Sequence, residues 1–235
     1  MPEDLTTVTV KGQRSGYWIK SHTASIKFVS TPPAVASSNN FVAAPIESIT
    51  YGISPASNVP QPGPPVLDDM TVDNSGCPAP GQTDPPAATP FKPSAETVSV
   101  AEDGYYQLHY YAQDCAGTKE LKFTETAGSW STSFYTVPIN VDTVKPEIFS
   151  KPMLSPSAST YAVGQTVIAT YGCKDALSGV VQCGTYVYDP GAKLDTGQIT
   201  STVDTSEAGP HTFTVNAVDA AGNMVKASVD YQVGP

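Results

Sequence analysis

Hydrophobic and polar residues alternate singly along much of this chain, and two of the alternating stretches correspond position by position. In residues 104–117 the inward set reads Tyr106, Leu108, Tyr110 and Ala112, and in residues 209–222 the matching positions hold His211, Phe213, Val215 and Ala217. Aligned without gaps, Gly104/Gly209, Ala112/Ala217, Asp114/Asp219, Ala116/Ala221 and Gly117/Gly222 are identical. A period of two is the signature of a half-buried strand, and Asp-x-x-Gly is turn chemistry. One β module used twice explains both stretches.

The same pattern predicts two or three strands over residues 6–29, with a turn at Ser15-Gly16, and further strands at 45–52, 97–100 and 137–141. In the second half it predicts strands at Tyr161, 167–171, 180–188, 203–205, 211–217 and 225–233, with a Pro190-Gly191 turn. Eleven of the 22 prolines fall between residues 55 and 93. Proline cannot donate to a β ladder, so about 55–95 is expected to be a long irregular insertion. Asp142-Thr-Val-Lys-Pro146 forms a short join. The expected organisation is two sandwich domains, residues 1–146 and 147–235.

Composition sharpens this picture. The 235 residues suffice for two domains of about 100 residues each. Charged residues make up 14%, against about 25% in ordinary soluble domains. Sparse charge, short strands and frequent breakers fit an all-β fold. The net charge of -10 opposes nucleic acid and anionic membrane as partners, since both need a basic surface. No apolar run approaches the roughly 20 residues that span a bilayer. Met1-Pro-Glu-Asp lacks the basic start and apolar core of a secretory leader, and the chain is expected to be a piece of a longer secreted protein.

Cys77 and Cys115 fall in the first module, Cys173 and Cys183 in the second. An even count with one pair per module suggests two disulfides within modules and an oxidising compartment. Pairing across the modules is also compatible with the count. Zinc is disfavoured, because there is no Cys-x-x-Cys spacing and His22, His109 and His211 are scattered.

The second module carries Cys173-Lys-Asp175-x-x-Ser178-Gly179, Gly209-x-His-Thr-Phe-Thr-Val and Asp219-Ala-Ala-Gly-Asn223. The first carries Asp103-Gly-Tyr-Tyr, Tyr110-Tyr-Ala-Gln-Asp114-x-Ala-Gly117 and Val-Pro-Ile-Asn-Val-Asp142-Thr-Val-Lys-Pro146. On these residues the chain resembles tandem bacterial immunoglobulin-like modules of secreted and cell-surface proteins, over nearly the whole second module and from about residue 95 to 146 of the first. It departs in Thr118, where such modules commonly carry Asn, and in the length of the Pro-rich insertion. The resemblance implies spacer, adhesin-stalk or accessory roles beside other domains of a parent protein, outside the cell. It implies no catalytic residues.

No convergent nucleophile, base and acid can be read from the sequence, and no phosphate loop or metalloprotease motif is present. A non-enzymatic module is expected. In an immunoglobulin-like sandwich the first strand starts beside the loop after the second strand and the turn after the penultimate one. Asp142, with Glu102 and Asp103 as further candidates, is therefore expected to approach Asp175 and Asp219 at the junction. Carboxylates converging without matching cations suit calcium. The local alternative is that Asp114 and Asp219 accept backbone bonds within their own turns. A carbohydrate- or protein-binding surface would use Trp130, Tyr105 and Tyr111, of which the two tyrosines point away from the expected core face.

Overall fold

The structure is a computed structural model and describes residues 6–30, 46–56, 70–73, 95–115, 117, 119–120, 122–126, 129–188 and 192–235. In chain order the strands are β1 (Thr6–Val10), β2 (Trp18–Ile19), β3 (Thr23–Ser30), β4 (Ile46–Pro55), β5 (Met70–Asp73), β6 (Ala95–Ser99), β7 (Gly104–Asp114), β8 (Lys119–Glu120), β9 (Lys122–Thr126), β10 (Ser129–Ser133) and β11 (Tyr135–Val141). They continue with β12 (Glu147–Ser155), β13 (Tyr161–Ala162), β14 (Ile168–Lys174), β15 (Val180–Cys183), β16 (Tyr186–Val187), β17 (Ile199–Thr202), β18 (Gly209–Asp219) and β19 (Met224–Gly234). Among the described residues there is no α-helix, and the fold is all-β.

Two compact units emerge, Met1–Gln13 with His22–Asn140, and Arg14–Ser21 with Val141–Pro235. The division follows Asn140, six residues before the expected one at 146, so Asp142 belongs to the second unit. Arg14–Ser21, expected in the first module, also goes with the second. Most of the Pro-rich insertion and the Pro190-Gly191 turn lie outside the described residues.

The first unit sets β1-β3-β6 against a sheet in which β11, β7, β4 and β5 are neighbours. Phe28 on β3 joins the two layers, its ring 5.1 Å from Tyr51 on β4 and 5.7 Å from Tyr110 on β7. Leu108, Tyr110 and Ala112 are buried as the alternation requires. His109, on the opposite face of β7, is also buried. It lies across from Gly52, which has no side chain to compete for the space, and its Nε2 meets Ser54 Oγ at 2.8 Å.

Burial lowers the His109 pKa from its ordinary value. The unfolded chain then binds more protons than the folded one below about pH 6.5. The contribution of His109 to stability is complete above that pH and declines as pH falls toward the folded-state value. Urea midpoints at pH 7.5 and 5.0 should therefore differ more in the wild type than in His109→Gln, and equal differences would contradict this account.

The second unit packs β12-β14-β17 on β13-β19-β18-β15-β16. Strands of both layers supply its core, including Val167, Ala169, Tyr171, Val180 and Val215. Cys173 on β14 and Cys183 on β15 are disulfide-bonded, with Cα atoms 6.0 Å apart, which staples one layer to the other. The order of strands matches the first unit: β1, β3 and β6 correspond to β12, β14 and β17, and β4, β7 and β11 to β15, β18 and β19. This is immunoglobulin-like connectivity in both units. The sequence repeat thus falls on β7 and β18, and its closing glycines, Gly117 and Gly222, have φ of 80° and 89°, a region costly for any other residue.

Candidate metal centre

Three aspartates from separate turns meet in the second unit. Asp142 follows β11, Asp175 follows β14, and Asp219 is the last residue of β18. Each offers a carboxylate oxygen, and the three oxygens lie within 4.8 Å of one another. Asp142 is 0%, Asp175 6% and Asp219 1% exposed.

Local sequence explains how each carboxylate is held. Asp175 opens the turn Asp-Ala-Leu-Ser-Gly, and its Oδ1 accepts the N–H of Leu177 at 3.1 Å and of Gly179 at 2.7 Å. Asp219 opens Asp-Ala-Ala-Gly-Asn. Its Oδ1 accepts the Asn223 N–H at 2.7 Å and its Oδ2 accepts Asn223 Nδ2 at 2.8 Å. The Asp219 bonds are the local turn contacts that the sequence offered as the alternative to a metal, while the Asp114 side chain lies outside what the structure describes. Those bonds are present, and the three carboxylates converge as well.

Asp142 is tied most thoroughly. Its N–H donates to Ile19 O at 3.0 Å, and Asn223 Nδ2 donates to its carbonyl at 2.8 Å. Its Oδ1 accepts Val144 N–H at 3.0 Å, and its Oδ2 accepts Ser178 N–H at 3.1 Å. The last bond joins two of the three turns. Asn223 Nδ2 also reaches Val144 O at 3.0 Å, which ties the Asp219–Asn223 turn to the segment after β11 within the second unit.

The donors to these carboxylates are neutral N–H groups. Among the described residues the ion pairs are His22 with Asp103 and Lys174 with Glu147, so none reaches the cluster. Burial raises the Asp219 pKa, the bonds from Asn223 lower it, and the nearby Asp142 carboxylate raises it again. Next to Asp219 and Ser178 along the chain, Ala220, Ala221 and Leu177 pack with Trp18 and Val181 in an apolar patch. The hydroxyl of Ser178 is buried and has no hydrogen-bond partner.

Other expected site residues are dispersed. Asp103 accepts from His22 at 2.8 Å, and neither it nor Glu102 joins the three aspartates. Cys115 is disulfide-bonded, while its expected partner Cys77 lies outside the described residues. Tyr105 is exposed. Tyr111 stacks on Phe134 at 5.5 Å, with Lys119 Nζ 4.8 Å above its ring. Trp130 lies on β10 opposite Glu125, and its side chain is outside what the structure describes.

The sequence reading missed two polar pairs, Ser54–His109 and His22–Asp103. The partners are 55 and 81 residues apart, and strand alternation carries no signal for which strands become neighbours or in what register. The first resembles a nucleophile–base contact; a catalytic triad would also need a carboxylate on the other ring nitrogen.

No protein-family model matches the sequence, and no curated protein is significantly similar to it. Solved structures show a loose likeness. The fibronectin(III)-like modules of CbhA from Clostridium thermocellum are 15% identical, with 97% of this chain and 94% of that one covered and a TM-score of 0.46. Dimeric latent PorU from Porphyromonas gingivalis is 12% identical over 98% of this chain and 24% of its own, with a TM-score of 0.29. The sialic acid binding region of a Streptococcus sanguinis adhesin is 13% identical over 98% and 78%, with a TM-score of 0.21.

Proposed function

We propose that this chain is a non-catalytic module of a larger extracellular protein, serving as a spacer or stalk element between other domains. The observation that carries the reading is the recurrence of one immunoglobulin-like strand order in two successive units of the chain, a serial arrangement suited to spacing other domains apart. The buried Cys173–Cys183 bond supports an oxidising compartment. The Asp142–Asp175–Asp219 group is acceptor-only when ionised, which suits holding a cation better than transferring protons to a substrate.

Polysaccharide or protein binding is the second reading, favoured by exposed Tyr105 and the Tyr111–Phe134 stack. Depletion from solution by a panel of insoluble polysaccharides separates the two. The spacer reading expects no retention on any glycan. Retention on one, lost in Tyr105→Ala, Tyr111→Ala or Trp130→Ala, would replace it with a binding module. A simple ester assay should likewise give the same background rate for the wild type and Ser54→Ala. Turnover abolished by that substitution would make the Ser54–His109 pair an active site.

A further inference from the structure

We propose that Asp142, Asp175 and Asp219, together with the Ser178 hydroxyl, hold one calcium-sized hard divalent cation within the second unit. The inference stands independently of the spacer reading. It begins with the cost of the arrangement. A buried carboxylate is tolerated when it is paired, neutralised or bound to a metal. Here three of them, each at least nine-tenths buried, crowd within 4.8 Å and receive hydrogen bonds from neutral N–H groups alone.

Turn chemistry explains each aspartate separately but not their meeting. Asp175 takes both of its turn donors on Oδ1, so its turn does not engage Oδ2. Asp142 turns its Oδ2 away from its own loop toward the Ser178 N–H of another. The spacing is compatible with one ion: oxygens bound to a single calcium lie at most about 4.6–5.2 Å apart, twice the calcium–oxygen distance, and the three here lie within 4.8 Å of one another.

Ser178 supplies the independent observation. Its hydroxyl is 5% exposed at the residue level and unpartnered, and leaving such a group unsatisfied is costly. Its own N–H lies 3.1 Å from Asp142 Oδ2, and covalent geometry keeps the hydroxyl within about 4 Å of that nitrogen. A hydroxyl oxygen is a suitable neutral ligand for a hard cation. Three carboxylates and one hydroxyl leave positions for waters or carbonyls in a shell of six to eight.

The rival state is a proton shared among the carboxylates, and calorimetry on the whole chain at pH 7.5 separates the two. Calcium chloride titrated into chelator-treated protein should bind one ion per chain, with a Kd at or below the 10⁻⁴–10⁻³ M range of extracellular modules. The second unit's melting temperature should be about 5–15 °C higher in 10 mM calcium than in chelator. Asp175→Asn, which keeps the Oδ1 acceptor, should weaken binding at least about tenfold and melt no lower than the wild type in chelator. A merely structural aspartate would lose stability equally in both conditions. Ser178→Ala removes no observed bond, so it should fold and bind calcium several-fold more weakly, while the remote Asp230→Asn keeps wild-type affinity. No heat of binding and no calcium-dependent shift in the wild type would overturn the site, as would equal calcium affinity in Asp175→Asn. Unchanged affinity in Ser178→Ala would remove the hydroxyl from it.

Discussion

Replacing Cys173 and Cys183 together by alanine is expected to lower the unfolding free energy of the second unit by about 3 kcal/mol and its melting temperature by about 12–24 °C. The bridge closes a short loop, with a sequence separation of 10. Loop-closure entropy for that length accounts for the figure when the unfolded chain is otherwise unconstrained. Position adds to it. Cys173 sits in one layer and Cys183 in the other, both wholly buried, so alanines leave unfilled volume between the sheets. Scanning calorimetry on the double variant, without added cation, measures this directly. A fall of less than about 1 kcal/mol would mean that the layers are held together without the staple.

Gly184→Ala is expected to cost about 2–4 kcal/mol, from a strained backbone and an overpacked core. Gly184 lies between β15 and β16 with φ of +60°, and its N–H donates to Asn216 O at 2.8 Å. A methyl group there would overlap the ring and hydroxyl of Tyr171. That ring has little room to retreat, being 0% exposed and held at its hydroxyl by Ser201 Oγ at 2.6 Å. The mechanism has its own signature in urea denaturation. Because the two residues contend for one space, Tyr171→Leu and Gly184→Ala should combine to less than the sum of their separate costs. Additive losses would show that backbone strain alone is responsible.

The strands that bury one face cleanly were legible in the sequence, and those shaped by their neighbours were not. Leu108, Tyr110 and Ala112, like Val215 and Ala217, alternate because one side of β7 and β18 faces a core, and the repeat marked both. β12 escaped notice because its chemistry does not follow its alternation: apolar Phe149 and Met153 lie on the exposed face and Ser150 on the covered one, and Pro152 lies inside it at the edge of its sheet. Val203, expected in a strand, is buried just past the end of β17, where its N–H donates to Val167 O. Tertiary packing, rather than local pattern, placed that side chain in the core.

Trp18 shows the same limit from another direction. Nothing in Gly-Tyr-Trp-Ile-Lys announces that it packs on Ala220 and Ala221, about two hundred residues away in sequence. The aspartates were easier, because each sits at a defined position of a recurrent connectivity whose loop ends are known to cluster. Ser178 was not, since a hydroxyl's lack of a partner is a property of the folded surroundings alone.

The most direct test of the cation account is a crystal structure of the whole chain grown at neutral pH with calcium. A peak about 2.3–2.6 Å from oxygens of Asp142, Asp175, Asp219 and Ser178 is the expected result. Carboxylates still converging around a site with no ion, at calcium concentrations well above the millimolar range, would contradict it.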